Sequence, residues 1–352
     1  MNAPAVYTFD PLSDPRWDAL IARHPRASIF HHRAWLQALQ RTYRYTPMVF
    51  TTSSASSELK NGLVFCQIDS RLTGRRLVSL PFSDHCEPLC DSTEEMKILV
   101  QGSQASVNSR EWRYLEIRPT DEHFGEASSE IGLQPVGRYF HHVVDLAPAV
   151  DDLLRGFDKD SVQRRIKRAE QAGLVEKCGN SRELLKEFYR LFVLTRGRHH
   201  LPPPPYAWFQ NLLDAQGDAL EIRVASKDTI PIAAILTLRF RNISYFKYGC
   251  SDAAFKKFGA TPWLLWKAIA AAKNAGALKF DLGRTDHDNE GLLTFKNKWV
   301  PDYRRLLYWR FPAKATADMT ESWKLKMAKR FFSHLPQPLL VMSGKLVYRH
   351  IG

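Results

Sequence analysis

Three short runs in the C-terminal half combine residue types that could carry out group transfer. The first is Lys256, Lys257, Phe258, Gly259, Ala260 and Thr261, two cations and a glycine just ahead of an apolar segment opened by Pro262. Backbone amides at a helix start, reinforced by the helix dipole and two ammonium groups, favour a bound diphosphate. Gly259 lets the backbone approach closely or take a positive φ. The second run is Phe280–Asp281–Leu282–Gly283–Arg284. Strand alternation sends Phe280 and Leu282 to one side and Asp281 to the other. Asp281 and Arg284 fall at the strand's C-terminal end, where open α/β sheets bind ligands, and Asp281 could orient or deprotonate an amine. Its alternative role is an ion pair with Arg284 or a cap for the next loop. The third run is Phe295–Lys296–Asn297–Lys298–Trp299. Phe295 and Trp299, four apart, read as one apolar helix face. A lysine here could stabilise charge on a leaving group or tetrahedral intermediate; a solvated surface lysine is the alternative.

The elements that must hold these runs follow from periodicity. Apolar residues at Leu153, Leu154, Phe157, Val162, Ile166 and Ala169 have helical spacing, and Gly173 stops that helix. Asn180 is a natural cap for the next helix, with Glu183 as its capping-box partner, and Leu184, Leu185, Phe188, Leu191 and Phe192 share its inner face. Prolines 202–205 interrupt the chain. Strands follow at 219–226, 231–240 and 243–250, joined by hairpin-type turns. Thr261 is the expected N-cap of a helix from Pro262 to Ala275, with Gly276 as its stop. Strands at 278–284 and 303–311, a short helix between them and a strand at 139–146 complete the set. The order is β, α, α, β, β, β, α, β, α, β.

The first half repeats this order more faintly. A short strand at Val6–Phe9, helices over Asp14–Ala22 and Arg33–Leu39, strands at 47–52, 62–68 and 76–82, a helix over Thr93–Ser106 and a strand at 111–119 suggest two similar units in tandem. The reading divides the chain into 1–148, 149–312 and a tail, 313–352, with the boundary at Ala147–Val150. In the tail, Ser322–Val347 is basic and amphipathic, and Pro336 and Pro338 split it into two short helices. It suits either an anionic membrane surface or packing against the domain with its lysines in water.

Composition bounds the possibilities. The 352 residues are 44% hydrophobic and 25% charged, as in soluble globular proteins. A net charge of +13 attracts polyanions such as nucleic acid, anionic lipid or phosphorylated metabolites. Five cysteines in irregular spacing make no disulfide framework, which points to a reduced, cytoplasmic setting. The start reads as no signal peptide, and no run of about 18 apolar residues is present. The histidine pairs 31–32, 141–142 and 199–200 are neighbours that diverge, and His85 with Cys86 and Cys90 lacks a second ligand pair at zinc spacing. No metal site is expected. Cys250, without an evident His and carboxylate partner, reads as core rather than nucleophile.

The run from Arg164 to Pro312 resembles the FemAB-related acyltransferases, the BioF2-like branch of the GNAT superfamily. The likeness rests on RRIKRAEQAG, LTRGRHHLP, PIAAILTL, YFKYGCS, FDLGRT and FKNKW, with SLPFSDHCEPL in the first half similar to that group's N-terminal unit. It covers most of residues 20–312, and FDLGR followed by FK-x-x-W is its most specific part. It implies an α/β (α+β) fold of tandem GNAT-like domains, each a mixed, mostly antiparallel sheet flanked by helices. The first would be a degenerate acceptor wall, the second the acyltransferase, and the tail basic and helical. Lys296 matches the family's motif lysine. Arg196 or Arg198 matches an arginine that would meet the acceptor's phosphates, and Asp84 matches an acidic position in the N-terminal unit. The glycine turn departs from the loop [QR]-x-x-G-x-[GA] at Lys256 and Thr261. A long inserted helical arm is missing, and Asn297, Lys298 and Trp299 stand where tRNA-using members carry a Phe-Gly pair.

The expected function is transfer of an acyl or aminoacyl group to an amine in cell-envelope, polysaccharide or peptidoglycan metabolism. No cofactor is tightly held. The co-substrate is acyl-CoA, an acyl carrier protein or aminoacyl-tRNA, with its phosphates over Lys256, Lys257, Gly259 and Thr261 and its carbonyl on strand amides at Tyr248, Gly249 and Cys250. Arg284, Arg196, Arg198 and Asp84 would serve a small-molecule or lipid-linked amine acceptor. The alternatives are a FemAB-type aminoacyl-tRNA-dependent enzyme acting on a peptidoglycan precursor, and a non-catalytic RNA-binding or scaffold protein. The location is cytoplasmic, with possible contact at the membrane's inner face through the tail.

Overall fold

The structure is a computed structural model that describes residues 5–109, 112–121, 124–312 and 335–352. The chain forms two compact units. One comprises Met1–Tyr139, Arg305–Leu325 and Leu346–Gly352; the other comprises Phe140–Arg304 and Lys326–Lys345.

In the first unit, strand β1 (Tyr7–Phe9) precedes helices α1 (Arg16–Arg23) and α2 (Arg33–Tyr43). Strands β2 (Thr46–Thr51), β3 (Leu63–Ile68) and β4 (Arg76–Ser79) lead into α3 (Thr93–Ser109), β5 (Tyr114–Ile117), α4 (Phe124–Glu130) and β6 (Gln134–Asp145). β2 to β4 pair antiparallel, and β5 joins β4 in parallel. Phe50, Phe65, Leu77, Leu115 and Ile117 from the sheet bury against Met96, Leu99 and Val100 of α3.

The second unit takes in the end of β6, then α5 (Val150–Gly156), a π-helical turn (Lys159–Gln163), α6 (Arg164–Gln171), β7 (Val175–Gly179), α7 (Arg182–Arg198) and α8 (Tyr206–Gln216). Next come β8 (Leu220–Lys227), β9 (Ile230–Phe240), β10 (Ile243–Ser251), α9 (Ala260–Asn274), β11 (Lys279–Asp286) and α10 (Glu290–Asn297). Strand order in this unit is β6-β11-β10-β9-β8-β7. Phe157, Ile166, Trp263, Ile269, Phe280 and Trp299 belong to the core on one face. α7 covers β8 to β10 with Leu185, Phe188, Leu191 and Phe192 buried.

The last strand, β12 (Arg304–Phe311), pairs antiparallel with β5 through Trp309↔Ile117, Arg310↔Glu116 and Phe311↔Leu115. From Arg305 on it belongs to the first unit, whose order is β1-β2-β3-β4-β5-β12-β6. The sequence pattern places this strand in the second unit and the boundary at 147–150. The chain instead passes between the units at Tyr139–Phe140, within β6. A strand's home is set by its ladder, and Arg310 finds the Glu116 carboxylate there (2.9 Å). Helix α11 (Gln337–Ile351) ends the chain. It starts between Pro336 and Pro338, where helix breakage was expected; the expected helix ahead of it lies largely outside the described residues.

Other expectations need correction. The helix read through residues 153–173 is broken at Phe157 and Asp158. Phe157 is buried with extended backbone, and Asp158 starts a new segment by accepting from Ser161 N (2.7 Å). The cap of α7 is Ser181, whose hydroxyl accepts from Leu184 N, rather than Asn180. β7 and α8 are additions to the expected order: β7 is a short, largely exposed edge strand, and α8 directly follows the proline run. Among the described residues no helix is long and apolar enough to cross a membrane.

Candidate active site

Two parallel strands of the second unit frame the site. β10 stays paired with β9 from Ile243↔Phe240 to Ser251↔Ala233, but the register shifts between Phe246 and Tyr248. Lys247 is thus the extra residue of a bulge, which bends and twists the strand that carries it. On its other edge β10 pairs with β11 only through Ile243↔Lys279, Ser244↔Phe280 and Tyr245↔Asp281. Registered pairing ends at Tyr245 and Asp281, and the strands part. The edge of β10 from Phe246 onward then turns backbone donors and acceptors toward a wedge rather than a neighbouring strand. Such groups seek partners, and a ligand can supply them.

Asp281 sits where the strands part and is 4% exposed. Its Oδ1 accepts from Gly283 N (2.6 Å) and from His141 Nε2 (2.9 Å) on β6. Lys296, on α10, is 2% exposed. Its Nζ donates to the carbonyls of Gly283 (2.7 Å) and Arg284 (2.8 Å). A buried ammonium is tolerated only when such acceptors replace its water. Gly283 makes this possible: with φ at +72° it can turn its amide to Asp281 while its carbonyl meets Lys296. The reading of Lys296 as a solvated surface lysine is therefore corrected; the i, i+4 anchors Phe295 and Trp299 hold α10 on the core and carry Lys296 inward. Arg284 is partly exposed, with Nη2 3.9 Å from Asp286 Oδ1.

His141 and His142 are neighbours on β6, an arrangement from which the sequence predicts divergence and no shared site. They do diverge, and each reaches a polar partner. His142 Nε2 donates to Asn297 Oδ1 (2.8 Å). Burial pushes the His142 imidazole below its ordinary range, so the ring is neutral near pH 7. The available signal was two polar residues inside an apolar strand, answered by Asp281 and Asn297 inside apolar runs elsewhere.

At the far end of β10, residues Ala253–Phe258 form a 3-10 turn and Gly259 takes φ +73°. Helix α9 begins at Ala260 with Gly259 at its N-cap and no side-chain cap. Thr261 is consequently inside the first turn rather than capping it. Gly259 reverses the chain one residue early, and Pro262 sits where a helix start needs no N–H. A Cβ on Gly259 would lie 2.5 Å from the carbonyl oxygen of Arg165, so the close approach here is made by α6. Arg168 Nη1 donates to Lys257 O (3.4 Å). The arginines of α6 thus join the exposed Lys256 and Lys257 around the turn, a basic cluster foreshadowed by the run RRIKR.

The remaining residues divide. Tyr248 Oη accepts from Trp208 Nε1 (2.9 Å), and its ring lies against Phe192 and Phe209, so only its backbone belongs to the wedge edge. A Cβ on Gly249 would stand 2.8 Å from the Phe246 ring. Cys250 is buried, its Sγ 3.4 Å from Ala234 O, and burial raises its thiol far above the ordinary range; a reactive thiolate is excluded. Arg196 donates through Nε (3.2 Å) and Nη2 (3.0 Å) to Pro202 O, tying the end of α7 to the proline run. Arg198 is exposed, with Nη1 3.4 Å from Ser251 O at the end of β10. Asp84 belongs to the first unit, where its carbonyl accepts from Tyr308 Oη (2.7 Å). The structure therefore joins Asp281 and Lys296 through Gly283, groups Lys256, Lys257, Gly259 and Thr261 at one turn, and keeps Arg196 and Arg198 at the end of α7.

Residues 158–297, which hold the wedge, the glycine turn and Lys296, match the family model described as an acetyltransferase (GNAT) domain. This segment is a GNAT acyltransferase domain. The GNAT fold extends beyond the matched segment. The structure of FemX is similar over 92% of this chain and 100% of that one, with a TM-score of 0.68 at 13% identity. The C-terminal domain of an Agrobacterium fabrum protein named as a lysylphosphatidylglycerol synthetase is similar over 90% and 94%, with a TM-score of 0.55 at 13% identity. A tandem GNAT protein from the clavulanic acid biosynthesis pathway is similar over 87% and 97%, with a TM-score of 0.54 at 9% identity. At these identities the likeness is one of fold, a FemAB-like tandem GNAT architecture. Among curated proteins none matches by sequence.

Proposed function

We propose that this GNAT acyltransferase moves an acyl or aminoacyl group from a phosphate-bearing donor to an amine in cell-envelope metabolism, working at the cytoplasmic side. The observation that carries this reading is the parting of β10 from β11 directly beside Asp281 and Lys296. In our reading the donor lies in the wedge. Its diphosphate meets the amides at the start of α9 with Lys256 and Lys257, and its acyl carbonyl meets the β10 amides at Tyr248, Gly249 and Cys250. The amine nitrogen attacks the acyl carbon, a tetrahedral oxyanion forms on those amides, and Asp281 takes the proton from nitrogen. Collapse expels the donor's sulfur or oxygen, which receives that proton. Lys296 contributes by holding Gly283 and Arg284, and by its charge; Arg284 and Arg198 are assigned to the acceptor, with Arg196 positioning the end of α7.

Coenzyme A is the first donor to test. Titration should raise the melting temperature, and Lys256→Glu with Lys257→Glu should weaken binding about ten-fold, some 1.4 kcal/mol. A second reading, aminoacyl-tRNA as donor and a lipid- or peptidoglycan-linked acceptor, is favoured by the likeness to FemX and by the +13 net charge. Binding of aminoacyl-tRNA without binding of coenzyme A or acyl carrier protein selects it. Failure of all three donors to bind would sink both readings.

A further inference from the structure

Helix α11 presents two apolar faces, and only one is used. Leu340, Gly344 and Tyr348, four residues apart, are buried. On the other side Leu339, Met342 and Leu346 are 44%, 55% and 66% exposed. At about 100° per residue these three fall within an arc of roughly 60°, so they make one continuous stripe. Lys345 and Arg349, both exposed, fall on the same flank of that stripe. The segment Gln337–Ile351 contains no aspartate or glutamate.

We infer that this outer face of α11 docks on an anionic phospholipid bilayer. Three side chains of this size along one line lose ordered water when laid among acyl chains, and the flanking cations then lie at the level of lipid phosphates. Fifteen residues make a rod of about 22 Å, too short to cross a hydrocarbon core of roughly 30 Å, so the helix lies in the interface plane. A second copy of this helix is a poorer occupant. It would set Lys345 and Arg349 near their own kind, with no carboxylate on either helix to answer them. The inference stands independently of which donor the enzyme uses.

The test is co-sedimentation of the full-length protein with phosphatidylcholine vesicles, with and without phosphatidylserine. Wild type should pellet with the anionic vesicles and stay in solution with neutral ones. Leu339→Ser, Met342→Ser and Leu346→Ser combined should lower the partition coefficient by at least about ten-fold while leaving the melting temperature unchanged. Lys345→Glu with Arg349→Glu should abolish the preference for phosphatidylserine. Three results would overturn the inference: absence of wild-type binding, equal binding by the triple-serine protein, or a lower melting temperature in that variant, which would mean the stripe packs within the protein. Wild type eluting as a dimer that the triple substitution dissolves would assign the face to self-association instead.

Discussion

Each unit holds a pair of parallel strands in the same topological place, β4 with β5 and β10 with β11, and the two pairs end differently. In the first unit all four residues of β4 pair with β5, from Arg76↔Tyr114 to Ser79↔Ile117. In the second, pairing of β10 with β11 stops at Tyr245↔Asp281 while β10 runs on to Ser251. The closed pair is also pinned at its end. Glu116, buried, accepts from Arg118 Nε (2.9 Å) and from Arg310 Nε (3.0 Å) and Nη2 (2.9 Å). Arg118 donates onward to Leu80 O. The lesson is that the order of elements does not make a ligand site. A bulge at one residue and a strand long enough to continue past it open the second pair, whereas the first pair is spent on stability.

The contrast can be broken first at its closed side. Glu116→Ala strands two guanidiniums near 15% exposure or less and should cost about 3–5 kcal/mol, read by urea unfolding. Burial pushes the Glu116 carboxyl up, but the charges and hydrogen bonds of Arg118 and Arg310 outweigh it and hold it below its ordinary value. Its contribution is therefore complete at neutral pH and is lost as pH falls through and below the ordinary carboxylate range. Glu116→Gln should flatten that acid limb of the stability profile. A variant as stable as wild type at pH 7 would mean the pair is not sealed by this cluster.

The open side comes next. Lys296→Met removes the ammonium that holds the carbonyls of Gly283 and Arg284. It should lower kcat about 10²–10³-fold, roughly 3–4 kcal/mol of barrier, in an assay with the donor that the binding experiments select. Unchanged kcat and KM would remove Lys296 from the mechanism. The smallest effect is expected at the glycine turn. Gly259→Ala forces a Cβ toward Arg165 O at positive φ and should cost about 1–3 kcal/mol, with weaker coenzyme A binding. Full stability would show that α6 yields there at little cost.

Much of this architecture was legible in the chain. Amphipathic α7, the hairpin strands β8 to β10 and the β10-turn-α9-β11 run all announce themselves by period and by Gly and Pro placement. The tandem order was readable too, because β2 to β5 and α3 repeat the same pattern. Legibility failed where long-range contacts overrode local signals. Thr261 and Pro262 look like a helix start, yet Gly259 begins it. The segment 153–173 has one helical period, yet the buried Phe157 and the Asp158 cap cut it. At the site, Asp281 and Lys296 were identifiable as residue types, but His141 was not, since its partner lies 140 positions away.

From sequence alone come the elements, the basic turn before α9, the family resemblance and the small set of polar residues lodged in apolar runs. These depend on neighbours within a few positions, and local periodicity reports them faithfully. Tertiary structure alone decided that β10 leaves β11 after three pairs, that Lys296 is an internal strut, that β12 completes the first unit, and that α11 keeps an apolar stripe in water. Each depends on which backbone groups and side chains meet across distant parts of the chain, and no local pattern encodes a partner that far away.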